Sequence, residues 1–210
     1  MIQRILQIFI DGGPFIMSLI FISSMIALVI IIERYIYLGK ITKNDDKILK
    51  RITDAIGRKN YEEALLICDT NPGPASNLIK AGIENRNKDQ QKIEESIKDA
   101  AVLEIPKLER NLTTLGTIAN ISTLLGLLGT VLGNMEAFGL IGSNSAIGNM
   151  EVLASGISKA LMTTAFGLIV AIPATIFYNH FVSKVNNMIL LLEVQANSLV
   201  NIISINKKQV

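Results

Sequence analysis

Three apolar runs, residues 14–32, 112–133 and 160–178, set the pattern of this chain. Each approaches the roughly 20 residues that a helix needs to cross about 30 Å of hydrocarbon. The pattern predicts an all-α integral membrane protein with three transmembrane helices. Between the first two runs the periodicity is that of shorter amphipathic helices. Ile48, Leu49, Ile52, Ala55 and Ile56 recur at helix-face spacing. A short helix over 61–68 ends at the breaker cluster Asn71-Pro72-Gly73-Pro74, and a third helix starts near Ala75. A fourth, from about Asp89, is expected to run unbroken into the second span, with Pro106 as a possible kink. After the third run, Val185, Ile189, Leu192, Ala196, Leu199 and Ile203 mark a long helix with one packed stripe. Residues 1–10, apolar with Arg4 and two glutamines, fit a helix lying on the membrane surface.

Two of the runs carry small and hydroxyl residues down one face. At 100° per residue, Gly116, Asn120, Thr123, Leu127, Thr130 and Asn134 fall within about 80° of one another. Gly126, Gly129 and Gly133 form a close-packing surface beside them. In the third run Ala160, Thr163, Thr164, Gly167, Ala171, Ala174 and Tyr178 share a face. Helices facing only lipid have no use for such a stripe, whereas helices that line a pore or clasp another helix do. Plain helix packing is the commoner use. Neither run holds a carboxylate, so a proton-carrying group has to come from elsewhere.

Composition agrees with a membrane protein: half of the 210 residues are hydrophobic and the mean hydropathy is +0.42. The first run is too long for a cleaved signal peptide, ends in Glu33-Arg34-Tyr35 and lacks a small-residue cleavage site. Of 20 Lys and Arg residues, 15 lie between Glu33 and Thr114, and the segment 134–158 has none. Cations are retained on the cytoplasmic side. The expected division is therefore a periplasmic amphipathic segment (1–13), a first span (14–33), a cytoplasmic helical loop (34–111), a second span (112–134), a short periplasmic loop (135–152), a third span (153–179) and a cytoplasmic C-terminal helix (180–210). That places the N-terminus outside, which in a Gram-negative cell means the periplasm, and the C-terminus in the cytoplasm.

Little else carries chemistry. There is no nucleophile with a base, no phosphate-binding loop and no metal-ligand spacing, so neither an enzyme nor a cofactor is expected. No basic patch interleaved with aromatics points to nucleic acid. Cys68 reads as a buried small hydrophobe, His180 as an interfacial residue, and Glu33 and Arg34 as interface anchors. Lys159, just ahead of the third apolar run, either reaches the interface or faces inward, where it needs a carboxylate or raises a barrier to cations.

The residues then resemble a family. Gly126-Leu-Leu-Gly-Thr-Val-Leu-Gly133, Gly156-Ile-Ser-Lys-Ala-Leu161 and Thr164-Ala-Phe-Gly-Leu-Ile-Val-Ala-Ile-Pro-Ala174 are similar to signatures of the MotA/TolQ/ExbB proton channel family, on its ExbB/TolQ side. Glu33-Arg34, Tyr61-Glu-Glu-Ala64 and Leu108-Glu-Arg-Asn-Leu112 extend the likeness. The resemblance implies a homo-oligomer, a pentamer, whose second and third spans surround single-span helices of an ExbD/TolR-like partner. Each partner helix would carry an aspartate that takes up the ion, H⁺ or alternatively Na⁺, and a TonB- or TolA-like protein would receive the work. By motif position Thr130 and Thr164 match the family's functional threonines. With Thr163 and Lys159 they form the expected ion path. Asn120, Thr123, Gly126, Gly129, Gly133, Ala160, Gly167, Ala171 and Ala174 are expected to pack the pore or the partner helix. Three positions depart from the pattern: Lys159 replaces a glutamate, Thr123 a proline and Asn134 a methionine. Other readings are a non-conducting assembly scaffold of the same fold, a flagellar or gliding stator subunit, and a small-solute transporter, which has too few spans for the usual repeats.

Overall fold

The computed structural model describes residues 13–142 and 150–208. Among the described residues six helices follow one another: α1 (Pro14–Gly57), α2 (Tyr61–Thr70), α3 (Pro74–Glu84), α4 (Gln90–Glu109), α5 (Leu112–Gly142) and α6 (Met150–Lys208). No strand occurs among the described residues. Three stretches, Pro14–Ile41, Gln90–Gly139 and Leu153–Ser204, contain windows apolar and long enough to cross a membrane. The all-α, three-span class read from the sequence is the one adopted. The described residues fall into two compact units: a spanning unit of 13–33, 111–142 and 150–180, and a polar unit of 34–110 and 181–208.

In the spanning unit, α5 and α6 meet through small residues. A Cβ added to Gly126 would lie 3.1 Å from Thr164 Cα, and one on Gly133 would lie 2.8 Å from Ala160 Cβ. Gly167 approaches the Ser122 carbonyl, Gly156 approaches Ala137, and Gly116 lies under the Tyr178 ring. Partners on α6 fall in number as those on α5 rise, so the two helices run antiparallel. Lost side-chain volume is what lets the backbones come this close. Ile16, Met17, Ile20, Ala27 and Ile30 of α1 are buried, while Phe21, Ile22, Met25, Leu28 and Val29 are exposed. That outer surface suits hydrocarbon.

In the polar unit, α2 starts at Asn60, whose Oδ1 accepts from the Glu63 amide while its Nδ2 donates to Glu63 Oε2. The helix ends where Asn71 and Pro72 interrupt the pattern, and α3 begins with Pro74 in its first turn. A Cβ at Gly82 would lie 2.8 Å from the Leu199 side chain and 3.0 Å from Ile97 Cδ1, so a residue without a side chain lets these helices meet. Of the predicted stripe, Val185, Leu192, Leu199 and Ile203 are buried and Ile189 and Ala196 half-buried. Glu104, almost wholly buried, accepts from Asn77 Nδ2 at 2.9 Å and Lys107 Nζ at 2.6 Å.

Three expectations change. The helix from Asp89 does not run unbroken into the second span: Arg110 and Asn111 interrupt it, with Asn111 at φ +60°. Asparagine tolerates this left-handed conformation, and the Asn111 carbonyl then accepts from the Leu115 amide to start α5. The loop expected at 135–152 is partly helical, since α5 continues to Gly142 and α6 begins at Met150; residues 143–149 lie outside the described residues. The amphipathic segment at the N-terminus lies outside them too, apart from Gly13. Arg34, read as an interface anchor, is only 2% exposed. It donates to the carbonyls of Lys107 (3.1 Å) and Leu108 (3.3 Å) and lies over the Tyr37 ring. Those carbonyls belong to the last turn of α4, where intrahelical donors run out and a cation is favoured.

Candidate ion-path site

Threonines in apolar helices usually bond back to their own helix one turn earlier. Five here do so: Thr117 to Thr113, Thr123 to Ala119, Thr130 to Leu127, Thr163 to Ala160 and Thr175 to Ala171. Thr164 is different. Its Oγ1 donates across the seam to the Gly126 carbonyl of α5 at 2.8 Å. Because Gly126 has no side chain, the hydroxyl reaches a carbonyl already engaged in the helix ladder, which has a second lone pair to offer.

The two predicted polar faces have different fates. On α5, Asn120, Thr123 and Asn134 are exposed, Leu127 is 58% exposed and Thr130 is half-buried. This stripe is an open surface on the chain. Gly126, Gly129 and Gly133, expected to pack the pore or a guest helix, are closed against α6 of the same chain. The α6 face is closed as well: Ala160, Thr163, Gly167, Ala171 and Ala174 are all buried. Thr163, expected on the ion path, is 2% exposed, lies under Gly129 and has its hydroxyl bonded to Ala160. Its position puts it in the packing between helices. Thr164, half-buried, sits at the edge of that seam, one helical turn along α5 from Thr130 through its bond to Gly126.

Lys159 has a partner. Its Nζ lies 3.2 Å from Glu136 Oε2, across from α6 to α5. Sequence reasoning missed Glu136 because it falls three residues past the apolar run. The signal available was a lone acid near the end of one span and a lone base near the start of the next. Among the described residues no group of three or more His, Cys, Asp or Glu could hold a metal.

A multi-pass helical membrane protein, with an uncharged hydroxyl stripe beside a tightly packed helix pair, is the class that fold and site define. A profile of the MotA/TolQ/ExbB proton channel family matches residues 70–194, more than half of the chain. The chain belongs to that family, whose members are channel and transport subunits rather than enzymes. It is 39% identical over 112 residues to the biopolymer transport protein ExbB of Aquifex aeolicus, covering 53% of this chain and 74% of that protein. With the Tol-Pal system protein TolQ of Haemophilus influenzae it shares 44% identity over 84 residues, 40% of this chain and 36% of TolQ. A biopolymer transport protein ExbB homolog of Methanothermobacter thermautotrophicus is 27% identical over 186 residues, 88% of this chain. The chain spans 65% of that homolog's length, just under two thirds.

Proposed function

We propose that this chain is the ring-forming, ExbB/TolQ-like subunit of an ion-driven inner-membrane motor. Copies of the chain, five in the ring by family resemblance, hold helices of an ExbD/TolR-like partner, and ion flow drives a TonB- or TolA-like envelope process. In this reading the N-terminus faces the periplasm and the C-terminus the cytoplasm, which the cation distribution supports.

The observation that carries this reading is the Thr164–Gly126 hydrogen bond beside the exposed Thr130 stripe. Both threonines have committed their protons, Thr164 to Gly126 and Thr130 to Leu127 at 2.6 Å. Each hydroxyl oxygen therefore presents lone pairs. Two acceptors suit a protonated carboxyl, which donates, or a bare Na⁺. They do not suit a carboxylate, which needs donors. A partner aspartate entering this wall is desolvated, which raises its pKa, and it finds acceptors for its proton-loaded form. The wall thereby favours carrying the proton, and release follows where water is met.

The test is Thr130→Ala and Thr164→Ala in cells whose envelope process depends on the motor. Both variants are expected to assemble and to lose the energised output. Normal output from both would count against the reading.

A further inference from the structure

The half-buried Tyr178 of α6 packs its ring on a glycine of α5. A Cβ added to Gly116 would lie 3.0 Å from Tyr178 Cε2 and 3.1 Å from Cζ, the carbon that bears the hydroxyl. The direction of that Cβ matters. Gly116 lies about five full turns from Asn134, which puts it at the middle of the Asn120–Thr130–Asn134 arc. The phenol end of Tyr178 therefore reaches the centre of the open stripe. On α6 the same side chain is within about 40° of Thr164. Gly116 stands as far from Thr130 as Tyr178 does from Thr164, about 21 Å along each helix. The two pairs are thus two levels of one path-facing edge of the helix pair.

The hydroxyls of this edge differ in what they have left to give. Thr123, Thr130 and Thr164 have committed their protons to carbonyls. A packed tyrosine usually finds a partner for its O–H. That of Tyr178 bonds to no other described residue, and its oxygen is not sealed inside the chain. Acceptors alone cannot hand a proton onward. A relay needs a group that gives up one proton as it takes another, and a phenol both donates and accepts.

We propose that the Tyr178 hydroxyl relays H⁺ at the cytoplasmic end of the stripe. Its oxygen takes a proton from a hydronium ion on the Thr130 side while its own O–H proton passes to a water beyond. One O–H bond forms, one breaks, and the phenol is neutral before and after; rotation about the C–O bond resets it. The proposal rests on the conducting reading and the orientation above, and it deepens them by committing the ion to H⁺. Na⁺ cannot cross through an O–H bond.

The experiment uses the full chain with its ExbD/TolR-like partner in liposomes, under an imposed potential, with H⁺ and Na⁺ entry read by separate entrapped dyes. Tyr178→Phe keeps the ring on Gly116 and removes only the hydroxyl. It is expected to slow H⁺ entry about tenfold or more, with the partner bound and the thermal midpoint as in wild type. Tyr178→Leu, which also removes the ring, is expected to be slow as well. H⁺ entry at the wild-type rate in Tyr178→Phe overturns the proposal. So does faster entry in Tyr178→Leu, which would make the ring a plug, or a slow Tyr178→Phe that has lost its partner or its midpoint. Wild-type liposomes that pass Na⁺ but not H⁺ sink the relay and leave the conducting reading standing. Wild-type liposomes without any flux sink both.

Discussion

Gly129 and Thr163 meet across the α5–α6 seam with no room for a side chain at the first: an added Cβ would fall within the Thr163 hydroxyl. The contact can be tested by filling it. Gly129→Ala is expected to cost about 1–3 kcal/mol through overpacking, seen as a lower unfolding midpoint in detergent. Thr163→Ala in the same chain removes the obstructing hydroxyl and methyl. It should restore part of the loss, with a coupling of about 0.5–3 kcal/mol. Additive losses would mean that the two residues do not touch.

Arg34 carries a second prediction. Its guanidinium is buried and bonded to two carbonyls that α4 cannot satisfy itself. Arg34→Ala removes charge-assisted hydrogen bonds and leaves those carbonyls uncapped, a loss of about 2–4 kcal/mol. Arg34→Lys, with no planar fork to span neighbouring acceptors, should fall between the two. Equal denaturation midpoints for all three proteins would remove Arg34 from the account of the α4 terminus.

The polar unit also contains a pH-dependent element. Burial pushes the Cys68 thiol up to about 11, with Asp69 adding to the rise and Lys80 opposing it. The folded chain therefore holds this proton more tightly than the unfolded chain does. The associated stability is complete below the ordinary thiol value and is lost as pH rises from there through about 11. Denaturation midpoints of wild type should decline in that window more than those of Cys68→Ala. At pH 8 the thiol should alkylate about a hundredfold more slowly than a free cysteine. Alkylation at the free-thiol rate would show that Cys68 is not buried.

The three spans are legible because membrane burial imposes a single rule, apolarity sustained over a fixed length. The small residues at 126, 129, 133 and 160 are equally visible. What the pattern does not disclose is their partner, since a glycine face fits a sister helix of the same chain as well as a guest. The structure puts α6 there, which takes Thr163 out of the exposed wall and leaves the Asn120–Thr130–Asn134 stripe on it. Glu136 and Arg34 escape a periodicity reading for a related reason. Each is defined by what it meets, Lys159 in one case and the end of α4 in the other. The break at Asn111 depends on one left-handed residue, a signal too local for a helix-period argument.

The most direct test is a structure of the complex that locates the partner's acidic side chain. The account predicts a carboxyl within hydrogen-bonding reach, about 2.6–3.2 Å, of the Thr130 or Thr164 hydroxyl, inside a ring of these chains. A stripe at Asn120, Thr130 and Asn134 turned toward acyl chains, with the acid seated elsewhere, would contradict it.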